Sequence, residues 1–173
     1  RDIIYKTHLS LTKSSKAIYR KGDAFSKLAK ARGFRSRSAL KLLEVQKKDN
    51  FIKPSSRILD LGSSPGGWSQ VCLQIVGKKG FIFSVDKKIM EPLKGVNYLN
   101  KELEKLKESD FENFDKNILP FDVVLSDIAP NISGISGRDD ALMNNLLLGI
   151  RSCLDNFLKE DGNVLCKVFH GES

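Results

Sequence analysis

The sequence predicts an α/β fold, a parallel Rossmann-like sheet with helices on both faces, and three observations carry that prediction. Short apolar runs of strand length alternate with longer segments of helical spacing from residue 57 onwards, which is the pattern of strands joined by right-handed helical crossovers. The first such run, Arg57-Ile-Leu-Asp-Leu, closes on Gly62-Ser-Ser-Pro-Gly-Gly, a loop of small residues before a helical segment. Finally, Gly62, Asp86, Asp127 and Lys167 all fall at or near the carboxyl ends of strand candidates, the rim where ligands sit in sheets of this kind.

Taken in order, residues 1–22 mix Lys, Ser and Thr with few apolar positions and are expected to be irregular or partly ordered. Asp23 can cap a helix to about Arg32 with Phe25, Leu28 and Ala29 on its apolar side and Gly33 as its stop. A second helix, capped by Ser36 or Ser38, carries Ala39, Leu40, Leu42, Leu43 and Val45 up to Asp49-Asn50. Arg37 and Lys41 stand four residues apart on one side of it. Ile58, Leu59 and Leu61, interrupted by Asp60, read as a buried parallel strand, and Gly67 to Val76 as the helix after the glycine loop. Phe81-Ile-Phe-Ser-Val is a second strand ending in Asp86, and Val96 to Leu99 a short third.

Residues 101–119 set acids and lysines around Leu103, Leu106, Phe111 and Phe114, which reads as a helix and a connector. Phe121-Asp-Val-Val-Leu-Ser is the fourth strand and delivers Asp127 to a Pro- and Gly-containing loop. Asp139 or Asp140 starts a long helix to about Leu158, with Leu142, Leu146, Leu147, Ile150, Leu154 and Phe157 at helical spacing. Asp161-Gly162 turns the chain into a fifth strand, Asn163 to Phe169, carrying Lys167. The organisation is a basic helical arm, residues 1–56, packed on a core of residues 57–173 within one domain.

Composition narrows the partners. At 173 residues and 40% hydrophobic content the chain suits one cored domain, and no apolar run reaches membrane-spanning length, so a membrane partner is not expected. The net charge of +8 is segregated: residues 1–57 hold 16 Lys and Arg against 4 Asp and Glu, and the rest hold 13 against 17. A basic arm on a mildly acidic body favours a polyanionic partner, most simply nucleic acid, with Arg35 and Arg37 as candidate phosphate contacts. Cys72, Cys153 and Cys166 lie in apolar segments without C-x-x-C spacing or neighbouring His, so buried thiols are expected rather than a disulfide or a metal site.

The glycines choose the ligand. A dinucleotide fingerprint needs G-x-G-x-x-G, whereas glycines here stand at 62, 66 and 67 and Ser64 occupies the place where backbone would touch a pyrophosphate. With Asp86 about one crossover later to accept from a ribose, an adenosine ligand without phosphate is favoured, and S-adenosylmethionine fits. Lys167 inside the apolar run Val164-Leu-Cys-Lys-Val-Phe must reach the rim or be buried, and burial would lower its basicity. With Lys41 beside it and Asp127 bonded to it, it becomes a tuned proton acceptor. Methyl transfer to a ring nitrogen needs no such base, but transfer to a sugar hydroxyl does. A lysine base and a basic arm therefore point to the 2′-hydroxyl of RNA.

RSRSALKL at 35–42, DLGSSPGGWSQV at 60–71, SDIAPNISG at 126–134 and KVFHGE at 167–172 resemble the FtsJ/RlmE type of ribosomal RNA ribose 2′-O-methyltransferase. The resemblance implies an S-adenosylmethionine-dependent methyltransferase sheet, without its final strands in this chain. It places Lys41, Asp127 and Lys167 on three of four positions of a Lys-Asp-Lys-Glu catalytic tetrad, and Gly66, Trp68, Asp86, Glu102 and Asp127 on donor-contacting positions, beside the glycine-loop contacts Gly62 and Gly67. Glu102 replaces the family's usual Asp. The fourth tetrad member is implied to lie beyond Ser173 and not to be Glu172. The substrate implied is a nucleotide, uridine, of large-subunit ribosomal RNA, met by a cytoplasmic monomer. Competing expectations are a transfer RNA ribose methyltransferase, a non-catalytic RNA-binding protein on the same scaffold and, disfavoured by glycine spacing, a nicotinamide oxidoreductase.

Overall fold

The structure is a computed structural model and describes residues 24–128, 134 and 136–167. The expectations for residues 1–22, for a cap at Asp23, for most of the loop after Asp127 and for Phe169 and Glu172 lie outside the described residues. Strands β1 (Arg57–Leu61), β2 (Phe81–Asp86), β3 (Asn97–Asn100), β4 (Phe121–Ser126) and β5 (Leu158–Cys166) form one sheet in the order β3-β2-β1-β4-β5. Every neighbouring pair is parallel. From β1 the chain winds outward to β3, then returns to place β4 on the other side of β1. That reversal lies between β1 and β4, and in open parallel sheets the crevice at the carboxyl ends of the strands at such a point is where ligands bind.

Side chains alternate across the sheet, so Ile58 faces one layer and its neighbours Leu59 and Leu61 the other. On the first face Ile58, Ile82 and Val123 pack against Ala39 and Leu42 of α2 (Ser38–Asp49) and Val71 and Cys72 of α3 (Gly67–Val76). On the second, Leu59, Leu61 and Phe83 pack with Phe111 of α4 (Glu108–Glu112) and with Cys153 and Phe157 of α5 (Ser136–Phe157). Both layers exclude water from the central strands, which is why those strands read as nearly continuous apolar runs. Burial pushes the Cys72 thiol up, and that of Cys153 to about 12, so both are inert hydrophobes. The predicted buried thiols are thus found at Cys72 and Cys153, whereas Cys166 is half-buried.

Elements with strong periodicity lie where the sequence predicts them, and weaker ones move. Residues 24–31 are helical and form α1, and Gly33 ends the turn after it at φ +75°. Phe25 and Leu28 are nevertheless 46% and 42% exposed, and only Ala29 of the expected apolar face is buried. Neither Ser36 nor Ser38 caps α2: Arg37 occupies the cap with no side-chain bond, and the two hydroxyls bond each other at 2.7 Å. The expected helix over 101–119 shrinks to a 3-10 turn at Leu103–Lys105 and the five-residue α4. Its apolar residues keep helical spacing, but the backbone between the two short elements is extended at Leu106 and Lys107, and Phe111 is buried in the core.

Helix α5 begins at Ser136, a turn before Asp139, and β5 follows it directly. The β4–β5 register jumps from Phe121↔Leu158 to Val123↔Asn163, so Asp161-Gly162 sit in a bulge and regular pairing resumes at Asn163. Lys167 lies one residue past β5, with its backbone N–H on Ser126 O at 2.8 Å.

Candidate active site

The crevice is built by close backbone approach. Gly62 ends β1 at φ +73°, and a Cβ there would collide with the side chain of Ile128 after β4, so only glycine lets the two loops meet. Its N–H and that of Ser63 donate to Val85 O at 2.8 and 3.3 Å, tying the loop to β2. Gly66, at φ +107°, opens α3, and a Cβ on Gly67 would strike the Ser36 hydroxyl. Trp68 is 4% exposed and its indole N–H donates to Ser38 O at 3.0 Å, which fixes the start of α2 against the start of α3. Ser36, Ser38, Asp60, Ser63, Trp68 and Asp127 all line one small pocket at this point.

Asp86 ends β2 as predicted. Its Oδ2 accepts from Ser64 N at 2.9 Å and its Oδ1 from Lys88 N at 2.7 Å, so the carboxylate organises the loops on both sides of it. Each oxygen retains a second lone pair for a ribose hydroxyl. Asp127 N donates to Leu61 O at 3.3 Å, and its carboxylate Oδ1 accepts from Lys167 Nζ at 2.8 Å. The structure therefore joins Asp127 and Lys167 across the ends of β4 and β5. Of the two settings open to Lys167, rim or burial, the structure has the rim: its side chain is 46% exposed just past the strand. Lys41 is exposed, with Nζ 3.2 Å from Glu44 Oε2 on its own helix.

Two predicted residues are engaged otherwise than the sequence suggests. Glu102 is exposed after β3 and bonded to Lys105 at 2.5 Å, and that bond holds its carboxyl below the usual carboxylate range. Arg35 does not extend to solvent as a phosphate contact: its guanidinium donates to Pro65 O, Glu91 O and Pro92 O at 3.3, 2.6 and 2.8 Å. Arg37 is exposed at the start of α2.

Sequence reasoning notes Asp60 only as an interruption of an apolar strand, yet it is a prominent residue of the crevice. It has no exposed surface and accepts from Ser69 Oγ at 2.6 Å. Burial pushes its carboxyl up to about 7, against the Ser69 bond, with the carboxylates of Asp127 and Asp86 adding to the rise. Asp60 Oδ1 and the buried Ser63 Oγ have no hydrogen-bond partner among the described residues. A charged acid in an apolar strand is the signal that could have found it, since such a group needs a partner.

These groups fit S-adenosylmethionine. Asp60 Oδ1 and Ser63 Oγ offer an acceptor and a hydroxyl to an ammonium and carboxylate tail, the glycine loop offers bare backbone, and Asp86 offers acceptors to a ribose. Among the described residues no cluster of His, Cys, Asp and Glu is suited to a metal ion, and no helix is long and apolar enough to cross a membrane.

Comparison with known proteins agrees with this chemistry. The chain is 41% identical over 155 residues to ribosomal RNA large subunit methyltransferase E of Marinobacter nauticus, a match covering 87% of this chain and 72% of that protein. It is 40% identical over 163 residues to the protein of the same name from Methanocaldococcus jannaschii, covering 90% of this chain and 65% of the relative. A crystal structure from Plasmodium falciparum, described as a ribosomal RNA methyltransferase, superposes with a TM-score of 0.74 at 30% identity over 80% of each chain. Residues 34–173, from the strap before α2 to the last residue, match the family described as FtsJ-like methyltransferase, and the chain belongs to that family.

Proposed function

We propose that this chain transfers a methyl group from S-adenosylmethionine to the ribose 2′-hydroxyl of a uridine in large-subunit ribosomal RNA, with Lys167 as proton acceptor. The observation that carries the reading is the 2.8 Å contact between Lys167 Nζ and Asp127 Oδ1, on the rim of the pocket that Asp127 shares with the glycine loop. Two relatives at 41% and 40% identity carry the name ribosomal RNA large subunit methyltransferase E, which supports ribosomal RNA as the substrate. Residues 1–56 act as the RNA-facing arm of a cytoplasmic monomer.

When bound, S-adenosylmethionine supplies an electrophilic methyl group on a sulfonium. The chain aligns the acceptor and manages its proton. In this reading Lys167 Nζ accepts the hydroxyl proton as the methyl group passes to the oxygen. Asp127 Oδ1 holds that amine in position and stabilises the ammonium that results. Lys41 lies on α2, whose first turn is fixed to the pocket through Ser38 and Trp68, and adds a positive charge on the side from which RNA arrives.

The experiment is methyl transfer to purified large ribosomal subunits, with bulk transfer RNA as the competing substrate. Lys167→Ala is expected to lower turnover by about a hundredfold or more while leaving S-adenosylmethionine affinity within about twofold. Retained turnover would remove Lys167 from the chemistry. Preference for transfer RNA would replace the ribosomal substrate.

A further inference from the structure

We infer that Arg35 is a positioning residue of the donor site, holding the two walls of the cofactor crevice together rather than binding RNA. This rests on the proposed use of S-adenosylmethionine. One guanidinium reaches both loops that flank Asp86. Its Nη1 donates to Pro65 O, in the glycine loop after β1, and to Glu91 O, while its Nη2 donates to Pro92 O, in the segment after β2. Asp86 binds the same two segments from the other direction, through Ser64 N and Lys88 N. The loop that faces the donor's tail and the segment beyond its ribose acid are thus clamped twice, by an anion that takes their N–H groups and a cation that takes their carbonyls.

The backbone of Arg35 is fixed as firmly as its head. Its N–H donates to Gln70 Oε1 at 2.7 Å, and Gln70 Nε2 donates to Gly33 O at 3.0 Å, so α3 grips residues 33–35 from beneath. A Cβ on Gly66 would lie 3.2 Å from Arg35 Nη1 and 3.1 Å from Met90 Sδ, which shows how tightly the guanidinium and the second wall close over the loop. A lysine cannot replace this contact. Three carbonyls from two separate loops need a planar fork of donors, whereas an ammonium is a single point at the end of a flexible stem.

The same fork explains why Arg35 and Arg37, two residues apart, do different work. Arg35 spends its donors inward on carbonyls, and Arg37 stands exposed at the start of α2. Arg35 is not itself among the pocket-lining residues and is not bonded to the Lys167–Asp127 pair; it reaches the pocket through Pro65, which lines it, so its effect passes through the loops.

The test compares Arg35→Lys, Arg35→Met and Arg37→Glu in the full chain, by calorimetry with S-adenosylmethionine, by steady-state methyl transfer and by RNA binding across salt concentrations. Both Arg35 variants are expected to weaken donor binding and raise donor KM by about tenfold or more, with kcat at saturating donor within about twofold. Their RNA salt dependence should match the wild type, while Arg37→Glu shows the reverse. A general loss of folded protein lowers kcat without raising donor KM, so it cannot imitate the expected result. Unchanged donor KM in Arg35→Met, full recovery of affinity in Arg35→Lys, or a flattened salt slope in the Arg35 variants would each overturn the positioning role. A wild-type chain that does not bind S-adenosylmethionine would overturn the functional reading itself.

Discussion

At residue 60 an aspartate with no exposed surface stands within a strand of Ile and Leu, bonded to Ser69 Oγ, which in turn lies 2.9 Å from Ser84 Oγ. Its carboxyl is pushed up to about 7, first by burial and then by the carboxylates of Asp127 and Asp86, against an ordinary value of 3.8. Between those two values the folded chain keeps a proton that the unfolded chain has shed. Stability from this group is therefore fully present below about pH 4, falls as pH rises to about 7 and then levels off, a change on the order of a few kcal/mol at most. Asp60→Asn, which cannot ionise, should be more stable than wild type in urea unfolding at pH 8, with the difference shrinking at pH 5. A constant difference at both values would show that Asp60 titrates normally. The same variant should bind S-adenosylmethionine more weakly, because an amide cannot supply the charge that an ammonium needs.

At the scale of elements, the segment between β3 and β4 has little helix of its own and is held by what it inserts. Phe111 is fully buried and meets Phe83, Phe121 and Phe157 edge-on, with ring centroids 4.9, 5.4 and 4.8 Å away. Edge-to-face contacts and a buried ring together outweigh the cost of irregular backbone. A second tie lies at the surface, where Asp110 accepts from Lys101 Nζ at 2.8 and 2.7 Å and from Lys107 N at 2.8 Å. Phe111→Ala is expected to cost about 3–5 kcal/mol in equilibrium unfolding, since both transfer energy and a cavity are involved. A cost below about 1 kcal/mol would mean that the segment is tethered by its ends alone.

At the scale of the molecule, a sheet that reverses at β1 has a basic segment packed on its first face. In the proposed function the glycine loop serves the donor, while α2, which begins against that loop, presents Arg37 and Lys41 to solvent. A polyanion bound through phosphates releases counterions, so its affinity falls with salt in proportion to the contacts made. Arg37→Glu should therefore reduce the salt slope of RNA binding by about one or more contacts and leave donor affinity unchanged. An unaltered slope would make that part of the arm a solvated surface only.

The sequence by itself determined the sheet, because two-sided burial writes β1, β2 and β4 as short apolar runs whose ends can be read to the residue. It also pointed to the ligand class: glycines at 62, 66 and 67 disfavour a pyrophosphate turn, and Asp86 and Asp127 necessarily fall at strand ends once those strands are placed. Element ends set by long-range contact were not legible, as at β5, whose bulge depends on β4, and at α4, whose place depends on three distant phenylalanines. Nor was the division of labour among charged residues. Arg35 and Arg37 are equivalent in a charge count, and only tertiary structure turns one towards the carbonyls of residues 65, 91 and 92. Asp60 and Lys167 both interrupt apolar runs, yet one is fully buried and the other nearly half exposed. The physical reason is common to all of these: local pattern reports which groups prefer to leave water, whereas the partner that a polar group finds lies tens of residues away and exists only once the chain has closed.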